Sequence, residues 1–160
     1  MQDSAFCHSP SALVNVILPF GDLTCYIFAG QSALRLQVLD LGNNQLSDID
    51  ISSFHGLNSL VHLDLSGNSI VDVEDGAFSG LSRLTRLDLR DNRITRLSAS
   101  TFRGLVSLRY LLLTNNRIKT IDRRAFRALE GLVYIVLKGN PLGSQPVRFQ
   151  VCWHQRSLQI

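Results

Sequence analysis

Asparagine recurs at Asn44, Asn68, Asn92, Asn116 and Asn140, each 24 residues after the last, and phenylalanine keeps the same interval at Phe54, Phe78, Phe102 and Phe126. Apolar residues complete the unit LxxLxLxxN in all five copies: Leu36, Leu39, Leu41; Leu60, Leu63, Leu65; Leu84, Leu87, Leu89; Leu108, Leu111, Leu113; Leu132, Ile135, Leu137. A unit this short cannot bury its own leucines. Each copy must cover the next, so the chain is constrained to fold as a stack whose core exists only between neighbours.

The spacing within the unit sets its local structure. In LxLxx the alternating leucines point to one side of a short strand and the residues between them to the other. Stacked copies then form a parallel sheet. The asparagine falls where the chain leaves the strand and turns, where its amide can pair backbone groups that the turn leaves open. Five such amides predict a structural ladder, and the phenylalanine column predicts core filling on the far side.

These residues resemble the leucine-rich repeat family over about residues 34 to 142. A 24-residue unit with Phe ten positions after Asn is similar to the "typical" subclass of extracellular animal receptors and matrix proteins, Toll-like receptors among them. The resemblance implies an α/β solenoid, with a short parallel sheet on a concave face and loops or short helical turns on a convex one. It implies one structural domain, with an N-terminal cap over residues 1–33, five repeats over 34–142 and a C-terminal cap over 143–160. It also implies a non-enzymatic recognition module, extracellular or at the cell surface, of the innate-immune kind.

The termini fit that pattern incompletely. Cys7 and Cys25 flank the segment that must cover the first repeat, and a disulfide between them would suit an oxidising compartment. Family ectodomains usually carry four clustered cysteines there. Past Asn140 and Pro141 the paired cysteines of the usual cap are replaced by Cys152 alone. Val147, Phe149, Val151 and Trp153 alternate with polar residues, which predicts a half-buried strand over the last repeat and leaves intermolecular pairing by Cys152 as the alternative. No basic cluster precedes the apolar stretch ALVNVILPF, so no secretory leader is visible, and no segment has about 20 continuous apolar residues. No Asn-x-Ser/Thr sequon occurs either.

Catalytic and metal chemistry find no foothold in the pattern. His8, His55, His62 and His154 are scattered singly, and neither a GxSxG elbow nor a phosphate-cradling glycine loop occurs. The carboxylates Asp72, Glu74 and Asp75 read as a solvated loop. No enzyme, cofactor or metal is expected.

Function must then sit on what the repeats display. The strand positions between the leucines give three outward columns: Val38, His62, Arg86, Tyr110, Tyr134; Asp40, Asp64, Asp88, Leu112, Val136; and Gly42, Ser66, Arg90, Thr114, Lys138. Units four and five set Tyr110 and Tyr134 beside Leu112 and Val136, an apolar patch of the kind that marks contact sites. With His62, Arg86, Arg90 and Lys138 these four form the expected ligand-binding face. The same residues also allow a bland reading, in which the tyrosines pack on each other over a sheltered Leu112 and Val136.

Charge is polarised along the chain. Residues 1–82 hold one Lys or Arg against nine acids, whereas residues 83–140 hold thirteen against four. Arg93 and Arg117 occupy equivalent places in successive units, as do Arg103 and Arg127, and Lys119, Arg123 and Arg124 extend this basic flank. Stacked cations suit polyanions. The expected partner is therefore a protein or microbial surface ligand such as lipopolysaccharide or peptidoglycan, or a sulfated glycan. Nucleic acid is not expected, because no reading element or aromatic-interleaved basic stripe is present. A ligand-binding or adhesion fragment of a larger membrane receptor, joined to the membrane only through a downstream segment, is the alternative, with an intracellular scaffold behind it. The open stack also allows a homodimer.

Overall fold

The computed structural model describes residues 36–143 and the strand backbones Leu13–Asn15 and Ser157–Gln159. In chain order the strands are β1 (Leu13–Asn15), β2 (Val38–Asp40), β3 (Asp48–Ile49), β4 (His62–Asp64), β5 (Asp72–Val73), β6 (Arg86–Asp88), β7 (Arg96–Leu97), β8 (Tyr110–Leu112), β9 (Thr120–Ile121), β10 (Tyr134–Val136) and β11 (Ser157–Gln159). β1, β2, β4, β6, β8, β10 and β11 form one seven-stranded sheet in that order, all pairs parallel. The register advances by one repeat per strand, so Leu39, Leu63, Leu87, Leu111 and Ile135 stand opposite one another. The fold is a parallel β-solenoid, as the period requires.

The core follows the repeat. All five leucine or isoleucine positions of that row are closed to solvent, and so are the leucines flanking them. Phe54, Phe78, Phe102 and Phe126 form a second row of stacked rings, with centroids 5.7, 6.4 and 5.9 Å apart and planes within 18° of parallel. Such near-parallel aromatic contacts add to the apolar burial that couples each turn to the next.

The return path consists of turns joined by short strands. Among the described residues no helix forms. Two-residue strands β3–β5 and β7–β9 pair across successive turns, followed by isolated turns such as Ala77 N–H to the Glu74 carbonyl (3.0 Å) and Ala125 N–H to the Asp122 carbonyl (2.9 Å). The amides of Glu74 and Asp122 bond the carbonyls of Ile49 and Leu97 in the preceding turn, each at 2.9 Å, and tie the start of each turn to its neighbour. Side chains finish three of the turns: Asp50 Oδ1 accepts from Ser52 N–H at 2.8 Å, Ser98 Oγ from Ser100 at 3.0 Å and Asp122 Oδ1 from Arg124 at 2.7 Å, all at one place in the unit. Hydrogen bonding from Ser52 holds the Asp50 carboxyl below its ordinary value.

Cys7, Cys25 and Cys152, the alternating segment Val147 to Trp153 and most of both expected caps lie outside the described residues.

Candidate binding face

The long sheet brings the three outward columns into register as the repeat predicts. Val38, His62, Arg86, Tyr110 and Tyr134 are aligned partners, and so are Asp40, Asp64, Asp88, Leu112 and Val136. What the side chains do there changes from one end to the other.

In the first three units the acidic column serves the backbone. Asp40 Oδ1 accepts from Gly42 N–H at 2.9 Å, Asp64 Oδ1 from Ser66 at 2.8 Å and Asp88 Oδ1 from Arg90 at 3.2 Å. Each is a side-chain turn that closes the strand exit, a local bond characteristic of aspartate. Asp88 is only 1% exposed, and two guanidiniums close over it: Arg90 Nε lies 2.8 Å from Oδ1, Arg90 Nη2 2.7 Å and Arg86 Nη2 3.4 Å from Oδ2. The hydrogen bonds to Asp88 push Arg90 above its ordinary value against an opposing effect of burial. Two residues expected to meet a ligand, Arg86 and Arg90, are thus already engaged with a buried carboxylate. Both side chains nevertheless keep more than two-fifths of their surface open.

In units four and five Leu112 and Val136 replace the aspartates, and their exposure corrects the expected open apolar patch. Leu112 is 8% exposed and Val136 9%. Column mates about 4.8 Å apart cover one another, and Leu112 stands between Asp88 and Val136. Tyr110 remains 43% exposed, Tyr134 is half-buried, and His62 and Lys138 are exposed. The presented surface is therefore a tyrosine pair on an apolar floor, bordered by Arg86, Arg90 and Lys138.

The asparagines form the predicted ladder. Asn92 Nδ2 donates to the Leu65 carbonyl of the preceding unit (2.9 Å) and to its own Leu89 (3.2 Å), while Oδ1 accepts from Ile70 N–H (3.0 Å). Asn68, Asn116 and Asn140 repeat that pattern one turn away, and Asn44 bonds its own turn through Leu41 (2.9 Å). These amides are occupied by the scaffold.

One column escaped the sequence reading. Asn43, Gly67, Asp91, Asn115 and Gly139, each immediately before a ladder asparagine, all have positive φ, between 55° and 77°. The signal was available: every unit carries Asn, Asp or Gly there, the residues that enter the left-handed region at least cost.

The basic flank divides over different stretches of the turn. Arg93, Arg117 and Lys119 are exposed on the segment between the long-sheet strand and the short strands, whereas Arg103, Arg123, Arg124 and Arg127 are exposed on the turns after β7 and β9.

A leucine rich repeat family model matches residues 35–94 and 82–142. The chain belongs to the leucine-rich repeat family. No curated protein sequence matches it significantly. Among solved structures this leucine-rich repeat chain is similar to one in the crystal structure of a TLR13–ssRNA13 complex, at 38% identity and a TM-score of 0.71, over 76% of this chain and 17% of that one. It is likewise similar to chains of the Drosophila Toll–Spatzle complex. The glycosylated form gives 33% identity and a TM-score of 0.65 over 68% of this chain and 14% of that one, and a second structure 34% and 0.65 over 66% and 14%. The chain thus spans under one-fifth of the length of the structures it matches. One of these relatives is seen with single-stranded RNA, so the expected exclusion of nucleic acid has no support.

Proposed function

We propose that this chain is a non-enzymatic binding module, a stretch of Toll-type recognition surface at the cell exterior, that contacts a protein ligand through the outward face of units three to five. The observation that carries this reading is the change of duty along the sheet. Units one to three commit their aspartates to their own backbone, while among the described residues no side-chain hydrogen bond of the stack runs through Tyr110 or Tyr134, which present large, rigid contact area. Tyrosine with flanking arginine is the composition of binding hot spots. The similar Toll structures are complexes with Spatzle, a setting of Drosophila development and innate immunity, and that favours a protein ligand over a glycolipid.

Lipopolysaccharide, peptidoglycan, a sulfated glycan and single-stranded RNA are the competing ligands. The test is capture of the purified chain on immobilised protein ligands of the Spatzle kind, on each of those four and on whole bacteria, at low and high salt. A Tyr110→Ala/Tyr134→Ala variant is run beside it. Leu112 is left intact, because at 8% exposure a polar replacement there would test folding instead. Capture by a protein ligand that the tyrosine variant loses supports the reading. Capture that survives the variant and disappears with salt moves the site to the arginines, since exposed charge attraction is screened within about 8 Å at physiological ionic strength.

A further inference from the structure

The segment between each long-sheet strand and its short strand builds a second outward surface, and in units three and four it carries cations that the scaffold leaves unused. Ile94 and Ile118 point into the core there, and the residues on either side of them point out. Arg93 and Arg117 hold the same place in successive turns, because their amides bond the Ile70 and Ile94 carbonyls, each at 2.9 Å. Lys119 is the equivalent of Thr95 one turn earlier, and its amide bonds the Thr95 carbonyl at 2.9 Å. All four side chains are exposed. Adjacent turns lie about 4.8 Å apart and alternate residues of an extended segment about 7 Å apart, so the three long cationic arms reach one common area.

Nothing in the fold neutralises them. Residues 92–121 hold six Lys or Arg and no acid. Nearby Arg96 is paired with Asp72, Nε to Oδ1 at 3.5 Å, whereas among the described residues no ion pair involves Arg93, Arg117 or Lys119. Asp91, the nearest acid before them, accepts instead from Asn115 Nδ2 at 2.8 Å. Like charges on neighbouring strands weaken a sheet, so the stacked arginines cost the scaffold stability and give it nothing in return.

We propose that Arg93, Arg117 and Lys119 form a site for the sulfate groups of a sulfated glycan, separate from the tyrosine face. The planar fork of arginine gives two parallel donors to the oxygens of a tetrahedral oxyanion, and lysine adds a point charge. Thr95 sets an exposed hydroxyl beside them. Other polyanions fit less well. Single-stranded nucleic acid is held by cations together with aromatic faces on which its bases stack, and residues 92–101 and 116–125 contain no Phe, Tyr or Trp. An anionic lipid surface adds apolar burial to charge, and Ile94 and Ile118 are closed to solvent. A sulfated sugar chain needs only spaced cations and hydrogen-bonding partners. The site shares no residue with the tyrosine face, so glycan capture that survives loss of Tyr110 and Tyr134 belongs here, and protein capture tests the other reading by itself.

Fluorescence anisotropy of a labelled heparin oligomer, titrated with the full chain at physiological salt, tests the proposal. Arg93→Gln/Arg117→Gln is compared with Arg103→Gln/Arg127→Gln, which removes the same charge from exposed positions on other turns. Losing a cation at an anionic surface weakens attachment about fivefold, so the first variant should bind about twenty-fivefold more weakly. The second should stay close to wild type, because it leaves the three-cation site intact. Unsulfated heparosan, which keeps the carboxylates of the sugar chain, and single-stranded RNA of matched charge should both bind more weakly than heparin. Far-UV circular dichroism checks that each variant keeps the fold. Equal losses in the two double variants would overturn the proposal by showing a diffuse charge effect. So would heparosan or RNA binding as tightly as heparin, or a wild-type chain that does not bind heparin.

Discussion

Replacing Asn92 by alanine should weaken the stack more than any change of equal size on its surface. Asn92 joins units two and three: its Oδ1 accepts the buried Ile70 N–H at 3.0 Å and its Nδ2 reaches the Leu65 and Leu89 carbonyls. Those carbonyls keep a second amide each, from Asn68 at 3.0 Å and Asn116 at 2.8 Å. The Ile70 N–H has no such reserve in the ladder. Leaving it unpaired and buried costs about 1–3 kcal/mol, and the lost donor bonds add about 1 kcal/mol, for a total of about 2–4 kcal/mol. With a urea slope of about 2 kcal/mol per molar, the midpoint should fall by about 1–2 M. Arg93→Ala, one residue later and exposed, is the control and should stay within about 0.5 kcal/mol. Asn92→Asp keeps the shape and the acceptor but sets a carboxylate against carbonyls, so it should fall at least as far as alanine. An Asn92→Ala midpoint indistinguishable from that of Arg93→Ala would refute the ladder as a source of stability.

Three further outcomes follow from the same structure. Phe102 stacks between Phe78 and Phe126, and Phe102→Ala should cost about 3–5 kcal/mol in urea unfolding, because a ring-sized cavity opens at two interfaces at once. Asn43 holds φ at 55°, so Asn43→Val should cost about 1–2 kcal/mol. Asn43→Gly should change stability by less than about 0.5 kcal/mol, and an equal effect of the two would contradict the conformational explanation. Because the folded-state value of Asp50 lies below its ordinary 3.8, its contribution is full above that pH and fades as the pH falls through the folded value. The urea midpoint of Asp50→Ala should therefore be lower than that of wild type above pH 3.8 and converge on it in stronger acid.

The stack is legible in the sequence because its cause is periodic: a leucine row, an asparagine row and a phenylalanine row each keep one interval, and each row becomes one line of contacts. The left-handed column before the asparagines was legible in principle, but its residues vary among Asn, Asp and Gly and hide the shared backbone requirement. The return path was legible only as turns, because which short strands pair along it depends on which backbone donors the neighbouring turn claims, a property of pairs of units. The candidate face was half visible. Which side chains share it follows from the alternation of the strand. How far each is used up by the scaffold does not, as Asp88 under two guanidiniums and Leu112 under its column mates show.

The most direct test of the central claim, that the tyrosine pair is the contact surface, is site-specific photo-crosslinking. A benzophenone side chain is placed at Tyr110 on the long sheet, or at Arg103 on the turn after β7. Each labelled chain is illuminated with a protein ligand of the Spatzle kind, with lipopolysaccharide, with a heparin oligomer and with single-stranded RNA. The account predicts an adduct with the protein ligand from position 110 and none from position 103. An adduct from position 103 alone would contradict it.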